Sequence, residues 1–578
     1  MKKIALVIGI VLFFASISYA QPLPPPTGAV GEDILKEEEA SLREFKQREK
    51  EKAPKEAIEE VPTEGKPPEL KEGKKVFIKK IVVEGYTILK TREIQAIASE
   101  YEDKELSFSE VQELTDKLTN LYIEKGYVTS RFYVPPQEIK DGVLIIKAFE
   151  GKIGDVSVEG NRYFKSRLIT RKFKGYQRNI LNTKEMERAL RYLNLSADRK
   201  IKAVLSPGEK PATTDVLLNV KDKTPWHFTM RANNRGTEFT GKQRYGAILR
   251  NTNLLGFDDF FTFSYQMAQR DQLYAWLADY NIPVNRWGAK IGMYGSYVDV
   301  DIGRELGQQL QLSGRFGVGG VYTSIPIVDT METDFDISFG FDYKDIKNFM
   351  LGMTSTQDDL RIAKSGMLLD ARDRMGRTIL SSEVSVGLDI LGAMEQLYNQ
   401  NITTISRLGA DEKFVKWNGS VRRLQRLPFS SMMILDFQGQ AADDRMASSE
   451  EIVIGGYGRV RGYPELEHLG DYGYVTSLEV RTPFWVFPSS WKLPFSKKKQ
   501  TLRKSMQFVI FTDAGSVFRK DVFPGEAKND FIAGTGVGVR IDFYDRLRGR
   551  LDWAIPLSAE PSDGADSFIY FGVEIDLI

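Results

Sequence analysis

The sequence predicts an all-β transmembrane barrel preceded by two small α+β modules and an N-terminal helix. Three observations predict it. The chain opens on an export signal, two similar modules follow one another before residue 225, and from Trp226 onward helical periodicity gives way to alternation of apolar and polar residues.

The signal occupies residues 1–20. Lys2 and Lys3 supply the positive start, Ile4 to Ala15 the apolar run, and Ser18-Tyr19-Ala20 the small residues before a cut. The apolar run is too short to cross a membrane as a helix, and no second run is long enough. Gln21 to Pro26 is proline-rich and extended. Glu32 to Lys52 is dense in Glu, Lys and Arg with a thin apolar stripe at Leu35, Leu42 and Phe45. It is expected as a solvated helix with one weak contact face. Residues 53–75 carry Pro54, Pro62, Pro67 and Pro68 among charges and are expected as a linker.

The two modules are expected over 76–151 and 152–224. The first opens with Ile81-Val82-Val83-Glu84-Gly85-Tyr86 and the second with Val156-Ser157-Val158-Glu159-Gly160-Asn161, their glycines 75 residues apart. Helical pattern follows at Thr91 to Glu100 and Phe108 to Lys125, and again at Ser166 to Phe173 and Thr183 to Leu193. Strand pattern closes each module, at Val143 to Ala148 and Val216 to Val220. The β-α-α-β-β order gives a small sheet with helices on one face.

Residues 225–578 are expected as the barrel. Phe261, Phe263, Tyr265 and Met267 alternate with Thr262, Ser264 and Gln266. Phe335, Ile337, Phe339, Phe341 and Tyr343 do the same, as do Val384, Val386, Leu388 and Ile390. Alternation is common to soluble sandwiches and membrane barrels. The export signal and an aromatic content of 11% favour the barrel, with Trp276, Tyr280, Trp287, Trp417 and Trp485 as candidate interfacial girdle residues.

Composition narrows the function. A net charge of +1 gives no electrostatic case for nucleic acid. The absence of cysteine excludes disulfides, thiolate metal sites and a lipid-anchored cysteine. The two histidines, His227 and His468, offer little to metal binding or catalysis, so neither a metal, a cofactor nor an enzyme activity is expected. Paired acids at Asp258-Asp259, Asp443-Asp444 and Glu450-Glu451 are expected as loop or lumen-facing charges.

The most informative motif is Gly455-Gly456-Tyr457-Gly458-Arg459-Val460-Arg461-Gly462-Tyr463-Pro464. Its glycines fit neither a phosphate loop nor a dinucleotide fingerprint. They let an arginine fold back into a tight space, where a guanidinium can clamp a carboxylate through two parallel hydrogen bonds.

At this point a family resemblance becomes specific. Gly126-Tyr127-Val128-Thr129-Ser130-Arg131, Val134-Pro135-Pro136-Gln137, Asp141-Gly142-Val143-Leu144 and Glu150-Gly151-Lys152-Ile153 form one run. It resembles the first periplasmic module, or POTRA domain, of the outer-membrane transporters of two-partner secretion. Asn253 to Asp258 resembles an early part of that family's barrel. Val460-Arg461-Gly462-Tyr463 matches the tetrad of a long loop folded back into the lumen, and Phe511-Thr512-Asp513-Ala514-Gly515 a later strand whose aspartate meets that arginine.

The resemblance implies about sixteen antiparallel strands, two POTRA domains in the periplasm, a plug helix at 32–52, and a place in the bacterial outer membrane. It implies translocation of a large unfolded partner protein to the cell surface, by a monomer in contact with outer-membrane lipid. An assembly factor of the same superfamily is the alternative, and the run from Gly126 to Ile153 with only two modules favours secretion. A passive pore needs no POTRA domains, and an adhesin needs a passenger region not seen here. One departure is the last strand, Phe571 to Ile578, which ends on isoleucine where many outer-membrane barrels end on an aromatic residue.

Overall fold

A computed structural model describes residues 25–51, 58–60, 75–173, 179–196, 198–210, 212–285, 287–303, 305–330, 332–393, 405–493, 501–544 and 546–577. The expected export signal and most of the expected linker lie outside the described residues. Two compact units result, one of residues 43–225 with 252–258, the other of the remaining residues.

In chain order, α1 spans Thr27–Glu51 and β1 Ile58–Glu60. The first module contains β2 (Val76–Ile78), β3 (Lys80–Glu84), α2 (Thr91–Ala98), β4 (Lys104–Leu106), α3 (Phe108–Glu124), β5 (Arg131–Tyr133) and β6 (Val143–Phe149). α3 starts where Ser107 accepts from the Glu110 backbone while the Glu110 side chain accepts from the Ser107 backbone, a reciprocal cap. Strands β3 and β6 pair in parallel and β5 lies antiparallel on β6. Leu114, Leu118 and Tyr122 of α3 bury against Leu144 and Ile146 of that sheet. The structure adds one pair to the expected order, β2 with β4. Three residues per strand are too few for alternation to be legible.

The second module contains β7 (Lys152–Glu159), α4 (Ser166–Phe173), α5 (Thr183–Leu193), β8 (Arg199–Pro207) and β9 (Thr213–Asp222). Its core joins Ile169, Phe173, Leu190 and Leu193 of the helices to Ile201, Ala203, Val216 and Leu218 of the sheet. The sheet order is β1-β8-β9-β7. Thus Ile58–Glu60, from the expected linker, forms the outermost strand, parallel to Ala203–Leu205.

The other unit is a closed barrel of sixteen strands among the described residues. They are β10 (Trp226–Asn233), β11 (Arg244–Asn251), β12 (Phe260–Ala268), β13 (Leu273–Pro283), β14 (Lys290–Asp301), β15 (Ser313–Asp329), β16 (Thr333–Met350), β17 (Met353–Asp373), β18 (Gly376–Gly387), β19 (Val415–Arg426) and β20 (Met432–Ala442). After a loop holding β21 (Ile452–Ile454) and β22 (His468–Gly470) come β23 (Tyr472–Pro483), β24 (Met506–Phe518), β25 (Asn529–Phe543), β26 (Leu547–Pro556) and β27 (Phe568–Asp576). Antiparallel pairing of β10 with β27 closes the ring. The period of two sorts each strand by face. On β12, Phe263 and Tyr265 point out while Thr262, Ser264 and Gln266 are buried inside. Phe339 and Tyr343 of β16 and Val384 of β18 likewise face outward. Leu388 and Ile390, expected to extend that alternation, lie past Gly387, where β18 ends; the chain then turns through Leu391 and Gly392 at positive φ. Trp276, Trp287, Trp417 and Trp485 are exposed.

The lumen corrects one expectation. Residues 27–42 of α1 are not solvated but packed inside the barrel, with Val30, Ile34 and Leu35 in a buried cluster that includes Leu277, Val298 and Phe316 of the wall. Charge density misled the reading, because these acids meet cations of the wall rather than water. Among the described residues, no helix is long and apolar enough to cross a membrane.

Candidate functional site: the loop and helix in the barrel lumen

The connection from β20 to β23, residues 443–471, folds back into the barrel. Its β21 and β22 pair with each other and with no wall strand, so side chains must hold it in place. Val460 and Tyr463 are fully buried and Arg461 nearly so. Arg461 donates from Nε to Asp513 Oδ2 at 2.7 Å and from Nη2 to Oδ1 at 3.0 Å, the bidentate geometry in which guanidinium and carboxylate fit best. Its backbone N–H adds a third bond to Asp513 at 3.1 Å.

Period-two spacing explains the β24 motif. Phe511, Asp513 and Gly515 share the inward face. The guanidinium lies 3.4 Å from the Phe511 ring centroid, a desolvated cation–π contact. Gly515 leaves room for the loop, since a Cβ there would stand 3.0 Å from Ile454 and 3.2 Å from Val460. Gly462 has φ of 101°, and a Cβ on it would stand 2.8 Å from the Ile555 carbonyl oxygen. Tyr570 donates its hydroxyl to the Tyr463 carbonyl at 2.7 Å and accepts from the Gly462 N–H at 3.2 Å. The Tyr463 hydroxyl is 2.9 Å from that of Ser558.

Sequence reasoning missed the rest of the arginine's surroundings. Arg461 Nη1 also donates to Glu479 at 2.9 Å, and Glu479 accepts from Arg540 at 3.2 Å. Arg540 donates to Asp552 at 2.6 Å. Glu479, Arg540 and Asp552 belong to the inner faces of β23, β25 and β26. Only their polar positions in alternating strands could have marked them. The loop's base is fixed by Arg445, which donates to both Glu526 oxygens at 3.0 and 2.6 Å. That guanidinium holds the Glu526 carboxyl down at about 2.

Helix α1 is the second element inside the lumen. Thr27 packs on Gly314 at the start of β15, and Ser41 accepts from Arg250 near the end of β11 at 3.1 Å. Those wall positions lie toward opposite rims, so the helix runs lengthwise, rising about 1.5 Å per residue. Along it, Glu32 pairs with Lys344 at 2.8 Å, Asp33 with Arg459 at 2.7 Å, Glu37 with Arg235 at 3.4 Å, and Glu38 with Arg231. Arg459 belongs to the loop, so helix and loop hold each other. Glu450, of the acid pair expected as lumen charges, pairs with both Lys344 and Lys416. Glu451 pairs with Arg407 at 3.0 Å.

The motif residues 126–137 shape the first module and its junction with the second. Gly126, at φ of 92°, presents its carbonyl to the Thr183 N–H at 2.8 Å. Tyr127 packs edge-on against Tyr122, and Arg131 lies 5.7 Å from the Phe149 ring. Past Pro135, the Gln137 amide donates to the Ile145 carbonyl at 2.6 Å and accepts its N–H at 3.0 Å, continuing the edge of β6 beyond β5. Glu150 accepts from the Thr87 hydroxyl and backbone, the Ile88 backbone and Tyr122. Burial raises its carboxyl, but those bonds outweigh burial and hold it below its ordinary value. Asn253 accepts from the Asp258 N–H at 3.0 Å, and Asp258 pairs with Arg199. Among the described residues no cluster of side chains could hold a metal.

A closed barrel with a loop and a helix in its lumen, preceded in the chain by small α+β modules, is the architecture of an outer-membrane transporter. Family comparison agrees. Residues 212–541, more than half of the chain, match the haemolysin secretion/activation protein family ShlB/FhaC/HecB, and residues 76–151 match the ShlB-type POTRA domain. The chain belongs to that family. It is 22% identical over 408 residues to the heme/hemopexin transporter protein HuxB of Haemophilus influenzae, covering 69% of this chain and 71% of the relative. It is 23% identical over 425 residues to the outer membrane transporter CdiB of Dickeya dadantii, covering 70% and 71%. Its fold is similar to that of CdiB from Escherichia coli, with a TM-score of 0.71 at 17% identity, over 96% of this chain and 100% of that one. The chain is a two-partner secretion transporter of the outer membrane that exports a partner protein, with its POTRA region in the periplasm.

Proposed function

We propose that a large partner protein crosses unfolded through the barrel lumen after its capture by the POTRA sheets, with α1 as plug and the loop of Arg461 as gate. The division into signal (1–20), plug (21–52), linker (53–75), POTRA domains (76–151, 152–224) and barrel (225–578) is part of this reading. The observation that carries it is how the lumen is filled. Neither α1 nor the loop shares a strand ladder with the wall, so both can move without opening the barrel. Capture by strand addition is supported by β1, an extended segment already seated on the β8 edge. Drive comes from the partner folding outside, because the periplasm offers no ATP. The transporter acts as a monomer, without catalysis, and its outward apolar face meets outer-membrane lipid.

Arg461→Ala tests the gate. It removes one member of a buried pair, a loss of about 3–5 kcal/mol locally. Partner released to the medium should fall several-fold while the amount of heat-modifiable, inserted barrel stays within about twofold of the parent, because the sixteen-strand ladder does not include the loop. Normal secretion at normal barrel levels would remove Arg461 from the mechanism.

A further inference from the structure

The connection from β23 to β24 runs from Phe484 to Ser505, whereas at the same rim Arg374 and Met375 alone join β17 to β18. Turns at this rim of a barrel are ordinarily short, and a long connection there calls for a function. The described residues of this connection are hydrogen-bonded to one another and to the strand ends. Leu502 N–H donates to the Trp491 carbonyl at 2.9 Å, Phe484 N–H to the Met506 carbonyl at 3.0 Å, and Lys492 bridges Thr501. It holds large apolar side chains outward: Val486 is 81% exposed, Trp491 54% and Trp485 51%. Phe429, 80% exposed on the neighbouring turn from β19 to β20, meets Trp485 edge-on at 6.1 Å. A soluble surface avoids such a patch. Here it continues the outward apolar face of Leu435, Leu478 and Ile510.

The charge of the same segment is one-sided. Between Glu479 and Asp513 the sequence has no acidic residue, while Lys492, Arg503 and Lys504 stand among the described residues of the turn. Arg503 lies 5.8 Å from the Trp485 ring. Aromatic rings favour the depth of lipid headgroups, and adjacent cations favour anionic ones. We propose that this turn is a docking site for anionic phospholipid of the periplasmic leaflet, with Trp485, Val486 and Trp491 among the glycerol and upper acyl groups and Lys492, Arg503 and Lys504 on the phosphates. The proposal rests on the barrel's place in the outer membrane, which sets this rim toward the periplasm, and it concerns lipid rather than cargo.

The full chain, reconstituted in phosphatidylethanolamine vesicles, tests it with brominated lipids that quench tryptophan on contact. The signal from Trp485 and Trp491 is the difference between the parent and the W485F/W491F variant. Brominated phosphatidylglycerol should quench that signal at about tenfold lower mole fraction than brominated phosphatidylethanolamine. The variant K492Q/R503Q/K504Q, with unchanged heat-modifiable barrel, should quench equally with both lipids. Equal quenching in the parent, or a preference retained by the triple variant, overturns the proposal. So does a photo-crosslinker at Val486 that captures partner protein and no lipid. No cargo is needed for the quenching, so its failure leaves the transport reading intact, and failure of transport leaves the lipid preference measurable.

Discussion

At the scale of residues, the loop's seat is specified by glycines as much as by charges. A Cβ on Gly534 would stand 1.9 Å from the Arg461 carbonyl oxygen, a clash with backbone that cannot be turned aside. Gly534→Ala is therefore expected to unseat the loop with every charge retained. Residues 443–471 should become sensitive to protease added outside intact cells, and continued resistance would mean that the charges alone hold the loop. Glu150 gives a pH-dependent counterpart in the first POTRA domain. Its carboxyl is lower in the folded state than in the unfolded chain, so its contribution is complete above about pH 4.3 and fades as pH falls through the depressed value. Amide protection factors in Phe108–Glu124, corrected for the intrinsic slowing of exchange at low pH, should fall on acidification in the parent, and Glu150→Gln should flatten that dependence. The clamp of Arg461 by Asp513 was legible only through the resemblance of both motifs to the family; that Phe511, Asp513 and Gly515 fall on one strand face is what the structure adds. Glu479, Arg540 and Asp552 were not legible, since an acid or arginine on a lumen face looks like any other polar position in an alternating strand.

At the scale of elements, the strand β1 and the helix α1 show where local pattern fails. Three residues in a charged, proline-rich stretch carry no periodicity, yet Ile58–Glu60 pairs with Ala203–Leu205. The edge of β8 selects the strand, through backbone groups that any extended segment can satisfy. Replacing residues 58–60 by Gly-Pro-Gly removes a donor and the strand preference. Amides of β8 should then exchange faster, and an extended peptide from the partner should bind the POTRA region more tightly. Unchanged exchange would show that the edge is covered by something else. For α1, the apolar stripe signalled a helix, the residue pattern alone left it solvated, and only the family resemblance put it inside the pore. The burial depends on acids at Glu32, Asp33, Glu37 and Glu38 finding cations that lie hundreds of residues away on other strands and on the loop. The barrel strands were legible because lipid outside and a polar lumen inside impose one period over the whole unit.

At the scale of the whole molecule, the inner wall and the helix that fills it are complementary in charge. Removing residues 27–51 takes away the acids that face Lys344, Arg231, Arg235, Arg244 and Arg459, while the cations stay on the wall and loop. In planar bilayers such a deletion should raise conductance, and unchanged conductance would deny the helix its place as plug. With the cations that α1 neutralised uncovered, the lumen shifts toward positive charge, although Glu450, Glu479, Asp513 and Asp552 stay in place. In a gradient of potassium chloride the zero-current voltage should move toward the chloride equilibrium potential. A chain in transit would meet an electropositive corridor, so acidic stretches of cargo would dwell in it and basic stretches would pass quickly. On the reading of α1 as plug, its acids occupy the sites at which acidic stretches of a cargo chain would dwell.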